Sequence, residues 1–167
     1  PNTISSTTAC PDGTSGNYHS DESLNSYRLI DLTDNEFSPG DNVRVSADVY
    51  CWGGGPESDF ITVFYSDTVN SPSWTHMGAV NCQEGGHQTL DLDFSLSATT
   101  GRHLVRVAFY YSGSTTDVCS PDGFSDRDDL VFNVQTSVDA DGDGIPDTIE
   151  NTYCTDWQNP DSDGDGL

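Results

Sequence analysis

The stretch Val43-Arg44-Val45-Ser46-Ala47-Asp48-Val49-Tyr50-Cys51 decides the fold, because a small apolar residue occupies every odd position. Successive side chains of a β-strand point to opposite faces, so this alternation predicts a strand with one buried face and one wet face. Three later segments repeat the pattern, at residues 90–96, 105–111 and 130–134. Turn-forming sequences such as Ser38-Pro39-Gly40-Asp41 and Glu84-Gly85-Gly86 lie between them. The pattern is typical of antiparallel sheets.

The chain is therefore predicted to be all-β, with an antiparallel, jelly-roll-like β-sandwich over residues 1–135. Residues 1–24 are mostly small and polar and are expected to form a loop or edge segment. Residues 136–167 have a different composition, because from residue 139 onward they are rich in acids and glycine and poor in large apolar side chains. Such a segment cannot build a hydrophobic core, so we expect a bound ligand to organise it.

The charge of the chain excludes several classes of partner. Five basic residues face 28 acidic ones, which gives a formal net charge of -23. Nucleic acid and basic membrane anchoring are excluded because both need clustered Lys and Arg. Membrane insertion is not expected either, since no stretch approaches the roughly 18 apolar residues of a spanning helix. Aromatic residues make up 10% of the chain, too many for a disordered acidic tail.

The five cysteines favour an exported protein. Cys10, Cys51, Cys82, Cys119 and Cys154 contain no C-x-x-C pair, which argues against a zinc ribbon or a thioredoxin-like motif. Disulfides in a secreted, extracellular or cell-surface protein explain them better, and buried free thiols are the alternative. The sequence alone does not give the connectivity, and the odd number leaves one cysteine over.

The strongest motif is Asp139-Ala140-Asp141-Gly142-Asp143-Gly144-Ile145-Pro146-Asp147-Thr148-Ile149-Glu150. Its carboxylates fall at positions 1, 3, 5, 9 and 12, with glycine at 6, which is the spacing of a loop that wraps Ca²⁺. The predicted ligands are the side chains of Asp139, Asp141, Asp143, Asp147 and Glu150 and the backbone carbonyl of Ile145. A solvated acidic linker is the alternative. A paired EF-hand is not expected, because a strand rather than a helix precedes the loop.

The same spacing begins again at Asp161, Asp163 and Asp165, just before the last residue, Leu167. Together the two copies resemble bacterial thrombospondin type 3 repeats over residues 139–167. That resemblance implies a stiff, calcium-wrapped connector, and the interrupted second copy suggests a piece of a longer protein, joined covalently to further domains. The family usually has Gly-Thr-Asp where this chain has Cys154-Thr155-Asp156, so Cys154 either bonds to the sandwich or stays unpaired.

A second acidic group is predicted within the sandwich. If the first and last segments are neighbours, five carboxylates would come together and repel one another without a cation: Asp21, Glu22, Asp126, Asp128 and Asp129. We consider this group a possible second Ca²⁺ site. The alternatives are pairing with Arg127 or Arg28, or simple exposure to water.

Several pieces of residues 1–135 resemble a β-sandwich module found beside peptidase and other hydrolase domains of secreted bacterial proteins. They include residues 10–23, 71–75 and 105–111, and the run from Cys119 to Gly123 that leads on to residues 128–132. The resemblance implies a non-catalytic accessory role and a bridge between Cys10 and Cys119. Cys51 and Cys82 look like an extra pair.

No nucleophile elbow, zinc-protease helix or phosphate-binding glycine loop is present. The four histidines are scattered, and we expect each at the surface or in a turn. Five aromatic residues could form a platform for sugar rings or peptides, or could pack under loops: Tyr50, Trp52, Tyr65, Trp74 and Tyr110.

The first functional hypothesis is a calcium-binding accessory module that binds a polysaccharide, a protein substrate or a cell surface. A calcium-stiffened structural spacer is the second, and a small hydrolase is a minor alternative.

Overall fold

In the computed structural model of the chain, the described residues are 3, 10–33, 36–112, 116–120, 122–136 and 138–162, with Thr148 described by its backbone alone. The chain separates into two compact units, Pro1–Val134 and Gln135–Leu167. We call the first unit the sandwich and the second the connector. In the described ranges, no helix combines the length and apolar character that crossing a membrane requires.

The described part of the sandwich contains seven strands: β1 (Ser23–Asp31), β2 (Asn42–Cys51), β3 (Asp59–Ser66), β4 (Thr75–Asn81), β5 (Gly86–Ser95), β6 (Gly101–Tyr111) and β7 (Asp126–Val134). A short 3-10 helix, Pro56–Ser58, precedes β3. The strands form two sheets, ordered β1-β2-β5 and β4-β3-β6-β7, and all pairs are antiparallel. The predicted all-β antiparallel sandwich is confirmed.

The core lies between the two sheets. The odd-numbered residues of β2, from Val43 to Cys51, are all 0% exposed, as the alternation predicts. The other sheet presents Ile61, Val63 and Val107, which belong to the same apolar cluster. Burying one such side chain contributes about 1.5–3 kcal/mol, so the alternating apolar face is the main source of stability.

The two central strands of the four-stranded sheet, β3 and β6, are also buried on their outer face, which the sequence did not predict. Every residue of β3 is buried, and so is every position of β6 from His103 to Tyr110. Phe60, Ala108 and Tyr110 form a second small apolar cluster there. This face is covered by the chain around Cys10 and Pro11, whose atoms contact Arg106 and Arg127. The expectation of a wet outer face therefore fails for the central strands.

Two disulfides tie the sandwich together, and disulfide bonding is confirmed. Cys10 is bonded to Cys119, which fastens the N-terminal segment to the segment before β7. Cys51 is bonded to Cys82, which joins the end of β2 in one sheet to the residue after β4 in the other. Cys154 is a free, exposed thiol.

The connector contains the predicted loop and then a short helix, α1 (Asp147–Tyr153). The helix ends at Cys154, which has a left-handed backbone (φ 63°) and donates its N–H to the Glu150 carbonyl. Glycine adopts this conformation most readily, and a residue with a side chain is uncommon in it.

Candidate calcium loop and an acidic cavity in the sandwich

Backbone N–H groups of the acidic loop, residues 139–150, donate hydrogen bonds to the loop's own carboxylates. Asp139 accepts from the N–H of Gly142 (2.8 Å) and of Gly144 (3.0 Å). Asp143 accepts from the N–H of Ile145 at 2.7 Å. These bonds direct the carboxylates toward a common centre, and one oxygen from each of Asp139, Asp141 and Asp143 lies within 4.8 Å of the others.

Helix α1 carries the last two predicted side-chain ligands, Asp147 and Glu150, which are not part of the group of three oxygens that lie within 4.8 Å of one another. Asp147, at its first position, accepts from the N–H of Ala140 at 2.7 Å. Glu150 is 1% exposed, and its Oε2 atom has no hydrogen-bond partner. Asp141 likewise has a buried, unpartnered Oδ2 atom. The pKa of Glu150 is raised by burial first, and then by repulsion from Asp141 and Asp143.

The donors that the loop offers fit calcium. All the predicted side-chain ligands are carboxylates, and hard cations such as Ca²⁺ take six to eight oxygen ligands. A buried carboxylate oxygen without a partner is costly, and a cation in the loop would remove that cost. The Ile145 side chain is exposed, so its predicted contribution is confined to the backbone carbonyl.

The predicted second copy of the loop is described only at its start. The N–H of Asp161 donates to the side chain of Asn159 at 3.3 Å. Asp163 and Asp165 lie outside the described residues, so their role as calcium ligands stays a prediction.

The five carboxylates predicted to form a second site in the sandwich are not all brought together, although Glu22 and Asp126 line one surface depression. Asp129 forms a two-pronged ion pair with Arg106 (2.7 and 2.8 Å), and both side chains are 0% exposed. Asp126 turns to the other sheet and accepts from the N–H of Leu24 at 3.0 Å. Consecutive strand residues face opposite sides, so Asp128 and Asp129 cannot share a site. Asp129 is thus paired with Arg106 rather than with Arg127 or Arg28, and a metal site that includes Asp126 or Asp128 stays a prediction.

Asp21 and Glu22 directly precede β1. Together with Trp52, Tyr111 and Phe124 they line a cavity of about 360 Å³ at one end of the sandwich. Glu22 is 6% exposed, and the neighbouring Asp21 carboxyl group contributes to raising its pKa. We call this space the acidic cavity.

Two further aspartates, Asp122 and Asp59, lie close enough to Glu22 to raise its pKa but do not line the acidic cavity. Asp122 accepts from the N–H of Tyr111 at 2.7 Å, and Asp59 pairs with Tyr111 in the β3–β6 register. Asp59 also accepts from the N–H of Trp52 at 2.5 Å, while its Oδ1 atom is buried and without a partner. The Asp59 carboxylate lies within 4.8 Å of both sulfurs of the Cys51–Cys82 bridge, which as a disulfide cannot ligate a metal. Sequence reasoning missed Asp59 and Asp122, because no local spacing marks them.

Burial and mutual repulsion disfavour the charged forms of Glu22 and Asp59. Burial, the contact with Asp21 and repulsion from Asp59 and Asp122 raise the pKa of Glu22 to about 8. Burial raises the pKa of Asp59 to about 6, although the hydrogen bond from Trp52 opposes the change. Both carboxyl groups are therefore more easily protonated than in water.

The five aromatic residues do not form one platform. Tyr65 is 6% exposed and donates to Ser97, and Tyr110 is 0% exposed, so the prediction was wrong for both. Trp74 is half-buried under the guanidinium group of Arg106, and half-buried Tyr50 packs against His87. Trp52, at 44% exposed, remains available and contacts Tyr111 edge-on.

One histidine also departs from the prediction. His103 is 0% exposed, and its Nδ1 atom lies 2.7 Å from the Tyr65 hydroxyl group. Burial lowers the pKa of His103, so the neutral form is favoured. It is a core residue of β6 rather than a surface or turn residue.

No protein-family model matches the chain, and no curated protein sequence does. Among solved structures, the C-terminal domain of Wzt aligns with a TM-score of 0.49 at 11% identity, over 70% of this chain and 74% of that one. A β-glucosidase from Kluyveromyces marxianus aligns with a TM-score of 0.39 at 17% identity, over 71% of this chain and 15% of the enzyme. A β-glucosidase from Listeria innocua aligns with a TM-score of 0.37 at 16% identity, over 66% of this chain and 16% of the enzyme. Likeness at this level carries no information about function.

Proposed function

We propose that the chain is a calcium-binding, non-catalytic accessory module of a secreted bacterial protein. In this proposal the connector binds Ca²⁺ through residues 139–150, and the sandwich contacts an extracellular polysaccharide, a protein or a cell surface. The two disulfides favour an oxidising, extracellular setting.

The observation that carries the calcium proposal is Glu150. Glu150 is 1% exposed and its Oε2 atom has no hydrogen-bond partner, and a cation beside it would stabilise its charged form against burial and against repulsion from Asp141 and Asp143. Asp141 has a second orphaned oxygen in the same loop. No lysine or arginine is present in residues 139–167, so the loop has no internal counter-charge.

A charge-matched pair of variants tests the calcium proposal. Glu150→Gln removes the predicted two-oxygen ligand, whereas Asp156→Asn removes one charge from an exposed position outside the loop. We expect calorimetry to show strong loss of Ca²⁺ binding in the first variant and little change in the second. Equal Ca²⁺ binding by both variants, or none by the wild type, would refute the proposal.

The binding role of the sandwich is assigned to the acidic cavity. Trp52 offers a partly exposed ring, and Asp21 and Glu22 offer hydrogen-bond acceptors beside it. Aromatic rings and acceptors in one concave surface suit a sugar or peptide ligand. The structural spacer is the second candidate, since it shares the calcium loop and differs only in having no ligand.

Retention of the protein on polysaccharides separates the two candidates. Cellulose, chitin, xylan and peptidoglycan are suitable probes, with Trp52→Ala as the test variant. Trp157→Ala is the control, because Trp157 is 39% exposed but belongs to the connector. Retention that Trp52→Ala abolishes and Trp157→Ala preserves supports the binding role, and no retention on any probe favours the spacer.

A further inference from the structure

We propose that the acidic cavity binds the ammonium group of a lysine side chain from a partner protein. This inference rests on the binding role proposed above for the sandwich and narrows it to one class of ligand. Three aromatic rings and two carboxyl groups line the cavity: Trp52, Tyr111, Phe124, Asp21 and Glu22. Aromatic rings attract a cation through their negative faces, and carboxylates accept its hydrogen bonds.

The first argument is that Trp52 is exposed and is nevertheless held in place. It is 44% exposed, and its indole ring packs against the loop that follows it. A Cβ atom at Gly54 would overlap the ring, so the indole lies where only a glycine leaves room. Tyr111 meets the same ring edge-on, with 6.3 Å between the ring centroids. A large ring that is fixed without being buried suits a binding residue, because little side-chain freedom is lost when a ligand binds.

The second argument is that the rings form a continuous apolar wall. Trp52 packs edge-on against Tyr111, and Tyr111 packs edge-on against Phe124, with 5.8 Å between the second pair of centroids. The fold brings these rings together from the residue after β2, the end of β6 and the segment before β7. An aromatic wall suits methylene groups, which need no hydrogen-bond partners.

The third argument is charge complementarity. Asp21 and Glu22 make the cavity acidic, and none of the described residues that line it is basic. Because burial and the neighbouring carboxylates raise the pKa of Glu22 to about 8, a positive charge beside it would favour its ionised form. The chain contains no lysine, so its own residues and those of a second copy cannot supply this side chain.

The combination of rings and carboxyl groups selects lysine among amines. A lysine side chain carries its ammonium group at the end of a flexible alkyl stem, so the stem can lie along the rings while the charge meets Asp21 and Glu22. An amino sugar carries its amine on a ring with several hydroxyl groups, and an aromatic wall leaves most of those hydroxyl groups without partners. Lysine therefore fits both parts of the lining.

A titration followed by NMR tests the site in the full, disulfide-bonded chain. The probe is Nα-acetyl-lysine methylamide, its uncharged control is the norleucine equivalent, and glucosamine represents amino sugars. We expect the lysine probe alone to shift the indole N–H signal of Trp52 saturably, while the signals of Trp74 and Trp157 stay in place. An equal response to the norleucine probe, a saturable response to glucosamine, or none to the lysine probe overturns the proposal.

Two matched pairs of variants test the residues. Glu22→Gln removes a lining carboxylate, whereas Asp48→Asn removes the same charge from a side chain that is 44% exposed. Gly54→Ala displaces the Trp52 ring, whereas the methyl group of Gly53→Ala meets no atom within 4 Å. We expect Glu22→Gln to weaken binding of the lysine probe about tenfold or more and Gly54→Ala to weaken it measurably. Wild-type affinity in both test variants, or equal losses in their controls, contradicts the assignment.

The lysine titration and the polysaccharide retention assay fail independently. Retention that depends on Trp52, without a response to the lysine probe, refutes the lysine inference and leaves the proposed function standing. Failure of both assays refutes the binding role of the sandwich as well. Calcium binding by the connector is measured on its own variants and is not affected by either result.

Discussion

The two ion pairs Arg106–Asp129 and Arg44–Asp93 differ in burial and hardly at all in geometry. Each is bidentate, with bonds of 2.7 and 2.8 Å. In the first pair both side chains are 0% exposed, whereas in the second they are 38% and 48% exposed. Replacing Asp129 or Asp93 by Asn therefore makes the same chemical change in two different dielectric environments.

The expected costs follow from that difference. Asp129→Asn leaves the buried Arg106 guanidinium group without the opposite charge of Asp129, which costs about 3–5 kcal/mol. Asp93→Asn breaks a pair that water already screens, so its cost is about 0–1 kcal/mol. A joint change of Arg106 to Met and Asp129 to Leu should recover most of the first loss, because it removes both charges together.

Urea unfolding, in saturating calcium and again in chelator, measures these costs. The destabilisation by Asp129→Asn should be the same in both conditions, because an arginine-paired Asp129 is not a calcium ligand. Equal destabilisation by the two Asn variants would refute the role given to burial. A loss that appears only in calcium would instead return Asp129 to a metal site.

Two other outcomes follow from the sandwich. On the chain-entropy model, replacing Cys10 and Cys119 by Ser should cost about 5 kcal/mol, because that bridge spans 109 residues. Replacing Cys51 and Cys82 should cost about 4 kcal/mol, because that bridge spans 31 residues. Urea midpoints in the opposite order would contradict the chain-entropy model for this protein. In chelator, the free energy of unfolding should fall as the pH rises from about 4 to about 8. Folding raises the pKa of Glu22 from 4.5 to about 8 and that of Asp59 from 3.8 to about 6. Over this range the folded chain therefore holds more protons than the unfolded one, and raising the pH favours unfolding. Glu22→Gln should flatten the upper part of that pH profile, and a profile that rises over this range would contradict the assignment.

The fold was predictable where strand periodicity shows in the sequence. β2, β5, β6 and β7 each carry an alternating apolar row that the structure buries between the sheets. β3 was not located, because the run from Phe60 to Tyr65 is buried on both faces and shows no alternation. The edge strands β1 and β4 were not located for the opposite reason, because many of their residues are partly exposed.

The two candidate sites also differ in how far the sequence predicts them. The connector loop is local, so its ligand spacing can be read directly from residues 139–150. The acidic cavity depends on tertiary contacts, which bring Asp59 and Asp122 to Glu22 from distant parts of the chain. The sequence grouped Asp128 with Asp129 by proximity, but strand alternation puts them on opposite faces. Arg106 forms the ion pair with Asp129, and only the β6–β7 register identifies it as that partner.

Hydrogen exchange of the connector amides tests the central claim of a calcium-organised loop most directly. The N–H groups of Gly142, Gly144 and Ile145 donate to loop carboxylates that are expected to hold the ion. We predict slow exchange of these three amides in calcium and fast exchange in chelator, with sandwich amides such as that of Val107 slow in both. Equal exchange of the loop amides in the two conditions would contradict the account.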